Sequence, residues 1–211
     1  MGSLIIGHWP LDGSHIALPT IKGISRFGNN GTATDVSLTT GIHGEANGAG
    51  LFNGTTSKID LGSGIIGIKP LTIETWIHPT DWGGGNLGRI IDNGSILWFL
   101  DNPASQEYFV FSSNGGAERA YPANNSIVLN NWHHVCITIT AAGIANVYMN
   151  GVLSGAANQD SGTPAIGTTN TFIGNRDDGL RAFDGKIAKM RFYSYVMSAW
   201  QVKRLYDSYG V

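Results

Sequence analysis

Cysteine, charge and long apolar runs are all scarce in this chain of 211 residues. The single cysteine, Cys136, excludes an intrachain disulfide and with it a disulfide-stapled secreted scaffold. Charged residues make up 13% of the chain, about half the usual share, which argues against a coiled coil or helical bundle with charged surface stripes. The 13 basic and 15 acidic residues leave a net charge of −2, without the lysine and arginine surplus that duplex-DNA phosphates require. The basic residues are scattered and not interleaved with aromatics, so a single-stranded nucleic acid is not expected as a partner either. No apolar run approaches the length of a membrane-spanning helix, so no membrane insertion is expected. Met1-Gly2-Ser3 is followed directly by apolar residues, with no basic region and no cleavage site, so the sequence does not read as a secretory precursor.

Glycine is abundant, at 30 residues, alongside 7 prolines, while 42% of the chain is hydrophobic. That combination describes a folded, turn-rich β protein and not a disordered one. Short strand-like runs recur over 4–9, 57–61, 71–78, 89–91, 96–100, 108–112, 133–140, 145–149, 171–173 and 186–195. Asn-Gly pairs at 30–31, 53–54, 93–94, 114–115 and 150–151 supply residues that tolerate positive φ, and Tyr148 to Leu153 reads as a tight hairpin. The Asn-x-Ser/Thr tracts at Asn30, Asn53, Asn93 and Asn124 read as turn chemistry before glycosylation. Ser198-Ala199-Trp200-Gln201 has the form of a capping box, with Val202, Leu205 and Tyr206 on one face of a short C-terminal helix that covers an edge or sheet face. Alternation is clear in 71–78, where Leu71, Ile73, Thr75 and Ile77 oppose Thr72, Glu74, Trp76 and His78. Two antiparallel sheets that pack their apolar faces together leave the mixed faces outside. No repeat or composition break divides the chain, so residues 1–211 are read as a single domain.

The motifs Gly7-His8-Trp9-Pro10-Leu11-Asp12, Gly28-Asn29-Asn30-Gly31-Thr32, Leu51-Phe52-Asn53-Gly54 and Leu71 to Pro79 follow one another in a familiar order. They continue with Asn131-Trp132-His133-His134-Val135, Val147 to Gly151, Phe172-Ile173-Gly174, Phe183-Asp184-Gly185-Lys186-Ile187 and Arg191-Phe192-Tyr193. In this the chain resembles the laminin G-like, concanavalin A-like lectin/glucanase jelly-roll domains over nearly its whole length. The resemblance implies an all-β fold, a two-sheet antiparallel jelly-roll β-sandwich with a short C-terminal helix. It also implies a structural calcium in related folds, for which Asp12, Asn53 and Asp184 are the candidate ligands. Two departures stand out: Gly23, and Ala188 with Lys189, occupy positions where family members often carry acids, and lysine is a poor neighbour for calcium.

Glycosidases need two carboxylates flanking one bond. The four glutamates, Glu45, Glu74, Glu107 and Glu118, are far apart in sequence, and neither a nucleophile elbow nor a metalloprotease helix is present. Adjacent His133 and His134 point to opposite faces of a strand and read as packing. Cys136, inside Val135 to Ile139, reads as a buried strand residue and not a nucleophile. The chain is therefore expected not to be an enzyme. Sugars ask for an apolar ring face beside directional polar groups. Four places offer this: Asp81, Trp82 and Asn86 in a glycine-rich loop; the strand face of Glu74, Trp76 and His78; Arg119 with Tyr121; and the charged loop of Asn175, Arg176, Asp177 and Asp178. For Trp82 the competing reading is a lid folded back on the core. The expected function is a non-catalytic, lectin-like module that binds a glycan or polysaccharide for recognition or adhesion. The alternative is a structural or protein-interaction domain, such as a viral capsid decoration or tail-fibre component with a partner protein; a glycan hydrolase is a third reading. Either leading role places the chain outside a cell or on a virion surface.

Overall fold

The computed structural model describes residues 5–66, 70–102, 108–112, 120–160 and 169–211. Its early strands are β1 (Ile5–Trp9), β2 (Ile16–Ala17), β3 (Thr20–Ile21), β4 (Gly31–Thr34), β5 (Ser37–Thr39) and β6 (Ala49–Asn53). Then come β7 (Lys58–Ser63), β8 (Leu71–Asp81), β9 (Arg89–Asp92), β10 (Leu97–Asp101), β11 (Tyr108–Ser112) and β12 (His133–Ile139). The last are β13 (Ile144–Met149), β14 (Val152–Leu153), β15 (Gln159–Asp160), β16 (Asn170–Ile173) and β17 (Asp184–Tyr193), followed by helix α1 (Ala199–Asp207).

These strands form two antiparallel sheets. The first runs β14-β13-β12-β8-β17-β6-β5, with β1 also on β17 and β15 also on β13; the second runs β11-β10-β9-β16-β7-β4-β3-β2. The non-sequential neighbours make every β-sheet centre a meeting of distant segments, as a jelly roll requires. Alternation explains the layers. Ile73 and Ile77 of β8, Val135 and Ile137 of β12, and Ile187 of β17 face Ile59 and Leu61 of β7, Trp98 and Leu100 of β10, and Ile173 of β16 in one continuous core. The hairpin between β13 and β14 turns on Asn150 (φ 49°) and Gly151 (φ 77°), the pair of positive angles that matches strand twist.

Helix α1 starts on the expected capping box: the Ser198 side chain accepts from the Gln201 N–H, and the Gln201 side chain reaches back to the Ser198 N–H. It lies across the outer face of the first sheet. Val202 and Leu205 pack with Cys136, Tyr148 and Tyr193, while Tyr206 and the following Tyr209 pack with Trp76 and Ala188. The first sheet is thus covered on both sides. The outer face of the second sheet has no helix over it among the described residues.

Candidate functional site

The uncovered face is built by period-2 alternation in β7 and β16. Ile59, Leu61 and Ile173 point inward, so Lys58, Asp60, Asn170 and Phe172 point outward. Phe172 stands opposite Asp60 on one neighbour and Asp92 on the other. The Lys58 ammonium sits 5.1 Å from the centre of the Phe172 ring, and the Arg89 guanidinium 4.4 Å from that of Phe99. Arg89 Nε donates to Asp92 at 2.7 Å in a buried pair, and Asn170 Nδ2 donates to Asp60 at 2.9 Å. Burial pulls the Arg89 guanidinium below its ordinary range, and the Asp92 carboxylate offsets that cost. A notch of about 140 Å³ opens here, lined by Asp92, Asn93, Asn170, Phe172, Arg176 and Asp177.

The rim of this face carries two of the loops singled out in the sequence, brought side by side. Asn175 is fully buried and structural: its Oδ1 accepts from the Arg176 and Arg181 N–H groups, and its amide reaches the Ser57 carbonyl. Arg176 is bidentate on Asp178, with Nε to Oδ1 at 2.9 Å, and this hydrogen bond holds the exposed Asp178 carboxyl down at about 2. The Asp177 carbonyl accepts from Lys58 Nζ, while its exposed carboxylate has no internal partner among the described residues. Against this loop lies Gly83-Gly84-Gly85: the Gly84 N–H donates to Ala182 O at 2.9 Å and Arg181 Nη1 to Gly84 O at 3.3 Å. A Cβ on Gly83 would meet Ala182 O at 2.3 Å, so these glycines serve close packing of two loops and not approach to a ligand.

Trp82 does not stand free in that loop. It is 6% exposed and joins the core, the folded-back arrangement, so it offers no ring face to a sugar. Asp81 accepts from the Trp82 N–H at 2.6 Å and Asn86 takes a left-handed turn (φ 59°), both of which fix the loop. Arg119 lies outside the described residues. Tyr121 packs with Leu87, Leu97, Phe99 and Val110, beside the same face, and its backbone is held by Gln159.

The Glu74 and Trp76 face is also not an open surface. Glu74 is fully buried and Trp76 2% exposed, because α1 and Tyr209 close over them; His78 alone of the three is partly open. Trp76 stacks on Tyr206 with centroids 5.8 Å apart and meets Tyr209 edge-on at 5.4 Å. The Glu74 carboxylate accepts from Arg191 Nη1 at 3.0 Å, Tyr193 OH at 3.1 Å and Tyr209 OH at 3.1 Å, and lies 2.8 Å from His134 Nε2. Burial alone pushes its carboxyl up, but His134 and then Arg191 outweigh that and hold it below its ordinary value. Burial, followed by the Glu74 charge, raises the Tyr193 and Tyr209 phenols. His8 Nε2 accepts from Arg191 Nε at 3.1 Å; burial, then the Arg191 charge, lowers it to about 4.

The residues proposed for calcium do not fit one ion. Asp184 pairs with Asn53 across β17 and β6, whereas Asp12 lines a separate cavity of about 390 Å³ with Glu45, Asn47 and Lys189. Asn53 Oδ1 is taken by the N–H groups of Thr55, Thr56 and Ser57, and Asp12 Oδ1 by Ser14 N and His15 Nδ1. A lysine ammonium beside Asp12 and Glu45 opposes a divalent cation. No three His, Cys, Asp or Glu side chains converge among the described residues.

The sequence signal for the uncovered face was present in the alternation Lys58-Ile59-Asp60-Leu61 and Asn170-Thr171-Phe172-Ile173, but the lysines and arginines read singly look scattered. Only the pairing of β7, β16 and β9 makes them neighbours.

Two packed antiparallel sheets in this order, one with a helix over its outer face and the other without one among the described residues, define a jelly-roll β-sandwich. The chain belongs to the concanavalin A-like lectin/glucanases superfamily, whose sequence profile matches residues 53–203. No curated protein matches it significantly. Among solved structures it is similar to domain 4 of an extracellular GH43 arabinanase from Geobacillus stearothermophilus in complex with arabinotriose. That match has a TM-score of 0.70 at 17% identity, over 97% of this chain and 99% of the other. It is similar to the binding domain of Paraclostridial Mosquitocidal Protein 1, with a TM-score of 0.71 at 17% identity, over 98% of this chain and 52% of the other. It also resembles Trypanosoma rangeli sialidase in complex with the inhibitor DANA, with a TM-score of 0.69 at 10% identity, over 95% of this chain and 32% of the other. At these identities the likeness is one of fold, shared by binding domains and an enzyme alike.

Proposed function

We propose that the protein is a non-catalytic saccharide-binding module that reads a glycan on the outer face of its second sheet. The observation that carries this is the notch beside Phe172, lined by Asp92, Asn170, Arg176 and Asp177, of which Asn170 and Asp177 are exposed. Hydroxyl-rich ligands are oriented by such amide, carboxylate and guanidinium groups, with the exposed Asn170 and Asp177 as the reachable ones; Phe172, buried under Lys58, shapes the base of the notch and presents no stacking face. At about 140 Å³ the notch is smaller than the roughly 300–1,000 Å³ pockets that enclose drug-sized ligands, which suits one sugar unit of a chain otherwise in solvent. The arabinanase domain of the same fold, bound to arabinotriose, supports an arabino-oligosaccharide as the first probe. The non-catalytic reading rests on the occupancy of the local carboxylates: Asp92 is held by Arg89, and Asp60 by Asn170 and the Gly62 N–H. Neither is poised as a proton donor opposite a nucleophile. A surface-exposed recognition role, outside a cell, follows from a glycan ligand.

A glycan array probed with the wild type and with Asn170→Ala/Asp177→Ala, with and without chelator, tests this. The expected outcome is a saturable signal that persists in chelator and falls about tenfold or more in the double variant, the loss of two hydrogen bonds, one of them charged. An array without signal, or with equal signal for both proteins, contradicts it; release of reducing ends from a hit would replace it with a hydrolase.

A further inference from the structure

Helix α1 buries Val202 and turns Leu205 and Tyr206 toward the first sheet, which leaves Trp200 pointing away from its own packing face. Trp200 is 64% exposed, whereas Trp9, Trp76, Trp82 and Trp98 are all buried. Beside it runs a groove of about 450 Å³ whose walls include Tyr193, Tyr195, Met197, Trp200 and Arg204. Tyr193 and Met197 form the packed floor of this groove, and Trp200, Arg204 and the Tyr195 hydroxyl are the groups left to face solvent. The Arg204 guanidinium lies 4.8 Å over the Trp200 ring and has no carboxylate within 4 Å among the described residues. The neighbouring Asp207 is engaged by Lys203 on the other side of the helix turn. The Tyr195 ring is fixed edge-on against Tyr193 at 5.9 Å, yet its hydroxyl makes no hydrogen bond among the described residues. The reciprocal cap of Ser198 and Gln201 holds the backbone of the first turn that carries Trp200.

An exposed indole with a guanidinium over one of its faces, that guanidinium lacking a carboxylate partner among the described residues, and a phenol form a set with one chemical meaning. The ring takes the C–H face of a sugar, the phenol a hydroxyl, and the guanidinium a planar anion in bidentate fashion. Among the described residues the only charge lining the groove is positive, so it complements a carboxylate. We infer that this groove is a second saccharide subsite, separate from the notch over Phe172, and that it takes a carboxylate-bearing sugar unit of the uronic-acid class with its ring on Trp200 and its carboxylate on Arg204.

The test uses the whole chain and two probes of equal length, tri-galacturonate and neutral galactotriose. Tryptophan fluorescence and its quenching by acrylamide report on Trp200, which is 64% exposed, once the signal of the Trp200→Ala protein, with the half-buried Trp132, is subtracted. The expected result is a saturable blue shift and loss of quenching with tri-galacturonate, at least tenfold tighter than with galactotriose. Arg204→Gln weakens the tri-galacturonate response about tenfold or more, Trp200→Ala, which removes the reporter and is read by calorimetry, abolishes binding, and both variants keep the wild-type thermal midpoint because both side chains are at the surface. Asn170→Ala/Asp177→Ala leaves the response unchanged, so the failure of one site is read separately from the other. No saturable change, an unchanged response in Arg204→Gln, or equal affinity for the two probes overturns the proposal. So does a Trp200 already protected in sugar-free protein that sediments as a dimer, which would give the groove to a second copy.

Discussion

Glu74 is the residue on which the first sheet and the C-terminal helix meet. Its carboxylate satisfies Arg191 and Tyr193 of β17, His134 of β12 and Tyr209 beyond α1. A buried charge pair adds little over an apolar substitute, but removing one partner strands the other. Glu74→Gln leaves the Arg191 guanidinium without its counter-charge, and urea unfolding is expected to show a loss of about 3–5 kcal/mol. His8, on the far side of Arg191, sets a pH dependence. It titrates near 4 when folded and near 6.5 when unfolded. Between those values the unfolded chain binds the extra proton, so this contribution is complete above pH 6.5 and is lost as pH falls toward 4. With a discount for its partial exposure it is worth on the order of 2 kcal/mol. His8→Gln keeps an acceptor for Arg191 and is expected to flatten the thermal midpoint between pH 6.5 and 4; an unchanged slope would assign the effect elsewhere. The sequence placed Glu74, Trp76 and His78 on one strand face correctly. It could not show that tyrosines about 130 residues later cover that face, because a mixed face looks the same whether its partner is water or a helix.

At the scale of elements, the helix was the most legible part of the chain, because a capping box and a three-residue apolar stripe are local signals. Ser198→Ala removes the side-chain acceptor of the Gln201 N–H, and thermal unfolding is expected to report a loss of about 1 kcal/mol. The long strands β8, β12 and β17 were equally plain in their alternation. The short ones were not: β2 to β5 have two to four residues each, too few to show alternation, and are strands only through their pairing partners. The glycine-rich loop misled for a related reason. Its glycines look like a mobile ligand loop in sequence, but they admit the 180–182 backbone at close range and let Trp82 turn into the core. In the charged loop at 175–181, Asn175 is the internal scaffold, while Arg176 and Asp177 line the notch.

At the scale of the molecule, the two sheets divide their work. The first is sealed between the core and α1, and its polar groups are spent on one another around Glu74. The second has no helix over its outer face among the described residues, and there Lys58 and Asp60, Asn170 and Phe172, and Arg89 and Asp92 come from three strands that are distant in sequence. That asymmetry is why the fold was readable from ordered motifs while the site was not: motifs record turns and core positions, whereas a binding face is an accident of which outward positions become neighbours. The saccharide-binding reading therefore makes a claim about place. Amide chemical-shift mapping by NMR, with the strongest oligosaccharide from the array titrated into the labelled protein, tests it most directly. The account predicts saturable shifts concentrated at Asp92–Asn93, Asn170–Phe172 and Arg176–Asp177; shifts confined to other surfaces, or none at millimolar sugar, would contradict it.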